Sequence, residues 1–213
     1  MKALLNPLLL FVLFGNAQSI SIHNSQLGII QTSKGSGTGF AFMGKNLVFT
    51  AAHVVFNTKN IEYDAFYVRG NRALAPNFKK LRILMIDTVY DFAILRSKDS
   101  ITVDYFKLAL RSNVCTGDFV FYIGFDTAMT IKTGIPALVV RCSHITKVDS
   151  FWNGKKLVKL FEFLGDGVPG YSGGPVINSD GQIVGFMKAY RKENGQIIDV
   201  AYNIAPNLRK YNF

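Results

Sequence analysis

Cysteine is scarce in this sequence: its 213 residues include two, Cys115 and Cys142. Two thiols that far apart give no ligand spacing for a zinc site and leave room for one disulfide at most. Charge is sparse as well. Asp, Glu, Lys and Arg make up 18% of the chain, against 49% apolar and 13% aromatic residues. That balance excludes an intrinsically disordered chain and allows a substantial core. Beyond the N-terminus no apolar run is long enough to cross a bilayer. Internal repeats, low-complexity tracts and sustained helical periodicity are missing too.

Acidic residues are outnumbered, 14 against 24 basic ones, for a formal net charge of +10. The basic residues are scattered. Their densest groups, Lys79-Lys80-Leu81-Arg82 and Asn153-Gly154-Lys155-Lys156, are too short for a nucleic-acid-binding arm. No nucleic-acid partner is therefore expected. A basic surface still permits contacts with anionic glycans or membrane headgroups.

The N-terminus has Lys2, an apolar run from Ala3 to Phe14, and then Gly15-Asn16-Ala17. A basic start, a short apolar segment and small residues form the pattern of a secretory signal peptide over 1–17, cut after Ala17. A buried strand or an uncleaved anchor is the competing reading. A signal peptide places the mature chain outside the cell or in the cell envelope.

The remaining chain reads as short β-type runs separated by turn residues. They are Gly37–Met43, Asn46–Thr50, Ala65–Arg69, Leu81–Ile86, Phe92–Arg96, Phe119–Gly124, Ala137–Cys142, Leu157–Phe163, Pro175–Asn178, Gln182–Met187 and Ile197–Ile204. Asn153-Gly154 and Asn194-Gly195 have the chemistry of tight primed turns, and Asn178-Ser179-Asp180-Gly181 that of a slightly longer one. About a dozen short strands at regular spacing predict an all-β barrel or sandwich. The stretch from Pro206 to Phe213 predicts a short terminal helix. The weakest strand pattern, Lys98–Thr116, is the expected joint between an N-terminal half over 18–110 and a C-terminal half over 111–213. Asp118–Gly124 and Ile135–Cys142 read as the arms of a hairpin turning near Ala128–Thr133. That would let Cys115 and Cys142 face one another, as a disulfide or as two buried free thiols.

Three segments carry chemistry. Gly170-Tyr171-Ser172-Gly173-Gly174-Pro175 sets a serine among glycines, which permit a sharp turn and let the N–H groups of Gly170 and Ser172 converge on one point as an oxyanion hole. An ordinary glycine-rich turn is the plain alternative. Thr50-Ala51-Ala52-His53 puts a histidine behind a β run that ends in small residues. Asp91-Phe92-Ala93-Ile94-Leu95 puts a carboxylate at the mouth of an apolar strand, where burial demands a partner such as an imidazole N–H, unless Asp91 merely caps the turn. Asp87 is the poorer carboxylate candidate, since only Asp91 directly precedes the apolar run. Together these segments supply a nucleophile, a base, an orienting acid and oxyanion donors. His23 and His144 read as surface or structural residues.

The three motifs, in that order, resemble the trypsin/chymotrypsin superfamily. The run Gly35-Ser36-Gly37-Thr38-Gly39-Phe40, the stretch Gly181-Gln182-Ile183-Val184-Gly185 and the stretch Ala201–Pro206 resemble its HtrA branch. The resemblance implies a serine endopeptidase acting on protein or peptide substrates. It implies two six-stranded antiparallel barrels, His53 and Asp91 in the first and Ser172 with the oxyanion loop in the second. It implies a catalytic triad of those residues and no cofactor or metal. Three departures stand out. Tyr171 occupies a position that is Asp or Asn in many relatives, no Ile-Val-Gly-Gly start is present, and no PDZ module follows. Asp166, six residues before Ser172, lies where trypsin-like enzymes bind Arg or Lys, which suggests cleavage after basic residues. The competing readings are that Lys188 on the expected pocket wall pairs with Asp166 and neutralises it, and that the pocket takes small aliphatic residues as in HtrA relatives. A glutamyl-type pocket usually carries a histidine on that wall, where this chain has Met187 and Lys188. A viral-type polyprotein-processing protease, or a non-catalytic homologue that binds anionic partners, are the competing functions.

Overall fold

A computed structural model describes residues 26–33, 35–56, 65–69, 79–101, 104–109, 114–134, 137–204 and 208. The expected signal peptide, His23 and the expected helix from Pro206 onward, Leu208 apart, lie outside the described residues. Among the described residues twelve strands form two antiparallel sheets, each closing on itself.

The first sheet contains β1 (Leu27–Thr32), β2 (Gly35–Ala41), β3 (Leu47–Ala51), β4 (Ala65–Arg69), β5 (Lys79–Asp87) and β6 (Phe92–Ser97), ordered β1-β2-β3-β6-β5-β4 with β4 returning to β1. The second contains β7 (Phe119–Asp126), β8 (Ala137–Trp152), β9 (Leu157–Leu164), β10 (Pro175–Ile177), β11 (Ile183–Glu193) and β12 (Gln196–Asn203), ordered β10-β11-β12-β9-β8-β7 with β7 returning to β10. Closure gives each of these strands a hydrogen-bonded neighbour on both sides.

Phenylalanine fills the space between the barrels. Phe40, Phe42, Phe49, Phe92 and Phe106 pack in the first, and Phe49 meets Phe186 of the second at a ring distance of 5.0 Å. Burying each such ring contributes on the order of 1.5–3 kcal/mol, which binds the two sheets into one core. The segment joining them follows that seam. Phe106 N–H donates to the Ala41 carbonyl, and residues 107–109 exchange hydrogen bonds with Ile183, so the joint is hydrogen-bonded to both sheets. The turn of the β8–β9 hairpin adds a clip, in which Lys156 Nζ lies 3.1 Å from Asp87 Oδ2 and over the Tyr90 ring. Among the described residues no helix is long and apolar enough to cross a membrane.

Several local expectations change. β1 has no counterpart among the strand runs read from the sequence. Asn194 and Gly195 lie at φ 50 and 79, as a primed two-residue turn requires, but residues 153–156 form a four-residue loop in which only Gly154 has positive φ. There the Asn153 side chain accepts from the N–H groups of Lys155 and Lys156 and supplies the closure that a second positive φ would have given. The connection expected near Ala128–Thr133 is a helix, α2 (Thr127–Thr133), capped by the Asp126 carboxylate on Met129 N–H and closed by Gly134 at φ 68. Cys115 and Cys142 are not bonded to one another in this structure, and both are exposed. The β7–β8 register sets Cys142 opposite Phe121, whereas Cys115 sits in a turn before β7 held by the Asp118 carboxylate, so the two never become cross-strand neighbours.

Candidate active site

β3 ends in small residues and leads into α1 (Ala52–Val55), a single helical turn that carries His53. Its neighbour β6 pairs Phe92 with Ala51, which brings Asp91 beside that turn. Asp91 lies at φ 53, a left-handed conformation that Asp tolerates better than most residues. The preceding bend is fixed by Asp87, whose Oδ1 accepts from the N–H groups of Val89 and Tyr90. Asp87 is thus a turn residue.

Three hydrogen bonds then tie the two segments. Ala52 N–H donates to the Asp91 carbonyl at 2.9 Å, His53 N–H donates to Asp91 Oδ1 at 3.0 Å, and His53 Nδ1 lies 2.8 Å from Asp91 Oδ2. A carboxylate can only accept, so Nδ1 carries the proton and Nε2 is left as the free base. The Asp91 side chain is nearly buried while that of His53 is 45% exposed, so the imidazole turns its far edge to the open side.

Ser172 sits in the loop between β9 and β10. Its hydroxyl donates to the Lys188 carbonyl at 3.2 Å and, among the described residues, makes no hydrogen bond to His53. Both side chains line one cavity of about 260 Å³. The loop around Ser172 depends on glycine. At Gly170, φ is 104 and a Cβ would meet the Phe125 carbonyl at 2.2 Å and Thr127 Oγ1 at 2.3 Å. At Gly173, φ is 84 and a Cβ would lie 2.3 Å from Thr50 Oγ1. Any side chain at either position meets backbone strain and steric overlap together. The N–H groups of Tyr171, Gly173 and Gly174 are used internally, while those of Gly170 and Ser172 make no hydrogen bond among the described residues.

The residue that holds this loop is Thr38, to which the sequence motifs assign no role of its own. Its Oγ1 donates to the Gly170 carbonyl at 2.7 Å and accepts from Phe125 N–H at 2.9 Å, and its own N–H donates to the Ser172 carbonyl at 2.8 Å. The available signal is its place between two glycines, where chain segments approach closely. Thr38→Val is expected to leave a buried N–H and a carbonyl unpaired. That should cost about 1–3 kcal/mol in urea unfolding and, by loosening the loop, lower kcat by roughly 10–100-fold.

The specificity residues are placed differently from expectation. Lys188 lines the cavity, but its ammonium goes to the Tyr202 hydroxyl and ring. Asp166 is paired instead with Arg141 Nε at 3.3 Å and receives the Tyr171 hydroxyl at 3.2 Å. Tyr171 is buried behind the loop, and burial followed by the charge of Asp166 pushes its phenol well above the usual range. His144 packs edge-on against Phe119 at the surface.

A carboxylate outside every sequence motif also lines the cavity: Asp199 on β12, fully buried, with neither side-chain oxygen hydrogen-bonded. Burial first, and the charge of Asp166 second, push its carboxyl up to about 6. The N–H groups of Gly167 and Asp166 pull the other way without reaching hydrogen-bond geometry. A carboxyl raised on folding makes the folded state hold the extra proton between the two pKa values, so stability falls as pH rises from about 4 to about 6 and stays lowered above that. Urea unfolding of wild type and Asp199→Asn at pH 4, 5, 6 and 7 should show the variant gaining on wild type over that window, by about 2–3 kcal/mol at most. An equal gap at all four pH values would overturn this.

Comparisons with known proteins agree with this architecture. The Do-like serine protease HtrA of Bacillus subtilis is 28% identical over 180 residues, covering 81% of this chain and 36% of that protein. The serine protease HTRA1 of Xenopus laevis is 27% identical over 158 residues, covering 70% of this chain and 30% of that protein. The chain thus spans about a third of the length of these curated relatives. Among solved structures, a Glu endopeptidase superposes with a TM-score of 0.74 at 21% identity, covering 89% of both chains. A serine endoprotease from Yersinia pestis superposes with a TM-score of 0.65 at 15% identity, covering 89% of this chain and 62% of that one. The trypsin-like peptidase domain family matches residues 37–186, which include His53, Asp91 and Ser172. By that match the chain belongs to the trypsin-like peptidase domain family.

Proposed function

We propose that this chain is a serine endopeptidase acting through an acyl-enzyme intermediate. The observation that carries the reading is the double grip of Asp91 on His53, at the main-chain N–H and at Nδ1, which leaves Nε2 available beside the cavity that also contains Ser172. In the reaction the Ser172 hydroxyl gives up the Lys188 carbonyl and takes Nε2 as its acceptor. Ser172 Oγ then attacks the scissile carbonyl while Nε2 takes its proton, and the charge developing on oxygen is met by the N–H groups of Gly170 and Ser172. His53, now doubly protonated and held by Asp91, returns that proton to the leaving amine as the carbon–nitrogen bond breaks. Water repeats the sequence on the ester and frees the acid product. Each oxyanion donor in such a site is worth on the order of 10²–10³ in rate. The basic and apolar run ending at Ala17 supports export before the enzyme acts.

Treating the full chain with a fluorophosphonate probe tests this reading. Labelling that maps to Ser172 and vanishes in His53→Ala is expected. A folded protein that takes no label would assign the chain to the non-catalytic binding homologues.

A further inference from the structure

The second half of β8 is exposed from Thr146 to Trp152, and it pairs with β9 up to the hairpin tip. Trp152, the single tryptophan of the chain, is 66% exposed. Leu157, directly across from it, is 48% exposed, and the neighbouring Phe151 is 40% exposed. Directly opposed residues of an antiparallel pair share a face, so Trp152 stands with Leu157, and the Ser150–Lys159 pair comes next along that face. The tip is ordered. Asn153 Oδ1 accepts from two main-chain N–H groups of the turn, and Lys156 is fastened to Asp87 and the Tyr90 ring. The apolar side chains are thus presented to water on a fixed support.

The charge around them has one sign. From Ser150 to Leu160 the chain has Lys155, Lys156 and Lys159 and no acid. The acid just before this stretch, Asp149, is paired with Lys147 at 2.7 Å. Lys155 and Lys159 are exposed and have no ion pair among the described residues. Three apolar side chains at a hairpin tip fall well short of the roughly 1,200–2,000 Å² that a specific protein–protein interface buries. A bilayer surface asks for less. An indole settles at the headgroup level, an aliphatic neighbour enters the acyl boundary, and lysines reach lipid phosphates on their methylene stems. The formal net charge of +10 draws the whole chain toward the same anionic surface.

We infer that the β8–β9 tip docks the protein onto an anionic lipid bilayer, with Trp152 and Leu157 inserted at the interface and Lys155 and Lys159 against lipid phosphates. None of these residues lines the cavity that contains Ser172, and the inference does not rest on the peptidase reading.

Because Trp152 is the single tryptophan, its emission reports this tip alone. The full chain is mixed with vesicles of equimolar phosphatidylcholine and phosphatidylglycerol. Emission should move to shorter wavelength, lipid brominated in its acyl chains should quench it, and the protein should sediment with the vesicles. Vesicles of phosphatidylcholine alone should bind roughly tenfold more weakly or less. Trp152→Ala combined with Leu157→Ser should weaken sedimentation by roughly tenfold or more. Lys155→Glu combined with Lys159→Glu should do the same. Circular dichroism and thermal unfolding confirm that these surface variants fold. The apolar run from Ala3 to Phe14 is present in every variant, so binding through it would persist in all of them. Sedimentation unchanged in the variants, or Trp152 emission unshifted on vesicles that carry the protein down, would overturn the inference. Equal binding to neutral vesicles would overturn it as well. An emission shift produced without vesicles, by heparin or by raising the protein concentration, would give the tip to a glycan or to a second copy of this chain instead.

Discussion

Ser172→Ala is expected to lower kcat toward any good peptide substrate by roughly 10⁶-fold, with the thermal unfolding midpoint close to that of wild type. The size follows from the chemistry. Without Oγ there is no acyl-enzyme, and what remains is water attack aided by the oxyanion donors and by substrate positioning. The small effect on stability follows from the position. Among the described residues the hydroxyl has one hydrogen bond, to the Lys188 carbonyl on the wall of an open cavity, and water can replace it there. Pairing Ser172→Ala with His53→Ala should add little to either single loss, because the two side chains act as one unit. A double variant that lost the product of the two single effects would mean that the histidine and the serine act independently.

Asp91→Asn is expected to lower kcat at neutral pH by roughly 10⁴-fold while the main chain around it stays in place. The His53 N–H donates to Oδ1, so an asparagine puts its carbonyl oxygen there and its amide nitrogen at the Oδ2 position. That nitrogen is a donor facing Nδ1 at 2.8 Å, and the imidazole must answer by accepting. Its one proton moves to Nε2, where a base is needed. Proton NMR of the ring N–H would report the switched tautomer, a signature that loss of packing alone does not give. Near-normal kcat in the Asp91→Asn enzyme would mean that Asp91 only buttresses the turn.

Much of this organisation is legible in the chain because it rests on short-range rules. Alternation and turn residues mark eleven of the strands, and the small residues before His53 announce the end of β3. That His53 and Asp91 meet requires only that β3 and β6 pair in the register Ala51 to Phe92. What stays hidden is set by contacts distant in sequence. The six residues of β1 carry no flanking turn signal strong enough to separate them from the segment before. β8 continues to Trp152 because β9 pairs with its second half, although that half is largely exposed and shows little alternation. The cysteine pairing depended on where the β7–β8 connection turns, and α2 lies there in place of a tight turn. Nothing in the run Ile197-Ile198-Asp199-Val200 marks Asp199 as a buried acid. Its setting depends on the pairing of β12 with both β11 and β9 and on Gly165, whose missing side chain leaves space for the carboxylate.

The Thr38 hydrogen bonds have a consequence for dividing the polypeptide. Ser172 is encoded with the second group of strands, but the main chain on either side of it is fastened to a strand of the first. Two fragments split near residue 112 would each carry a full complement of strands, yet the later one would lack the anchor that shapes its own serine loop. Reactivity should reappear only on mixing, as fragment complementation, and with the stoichiometry of a one-to-one complex.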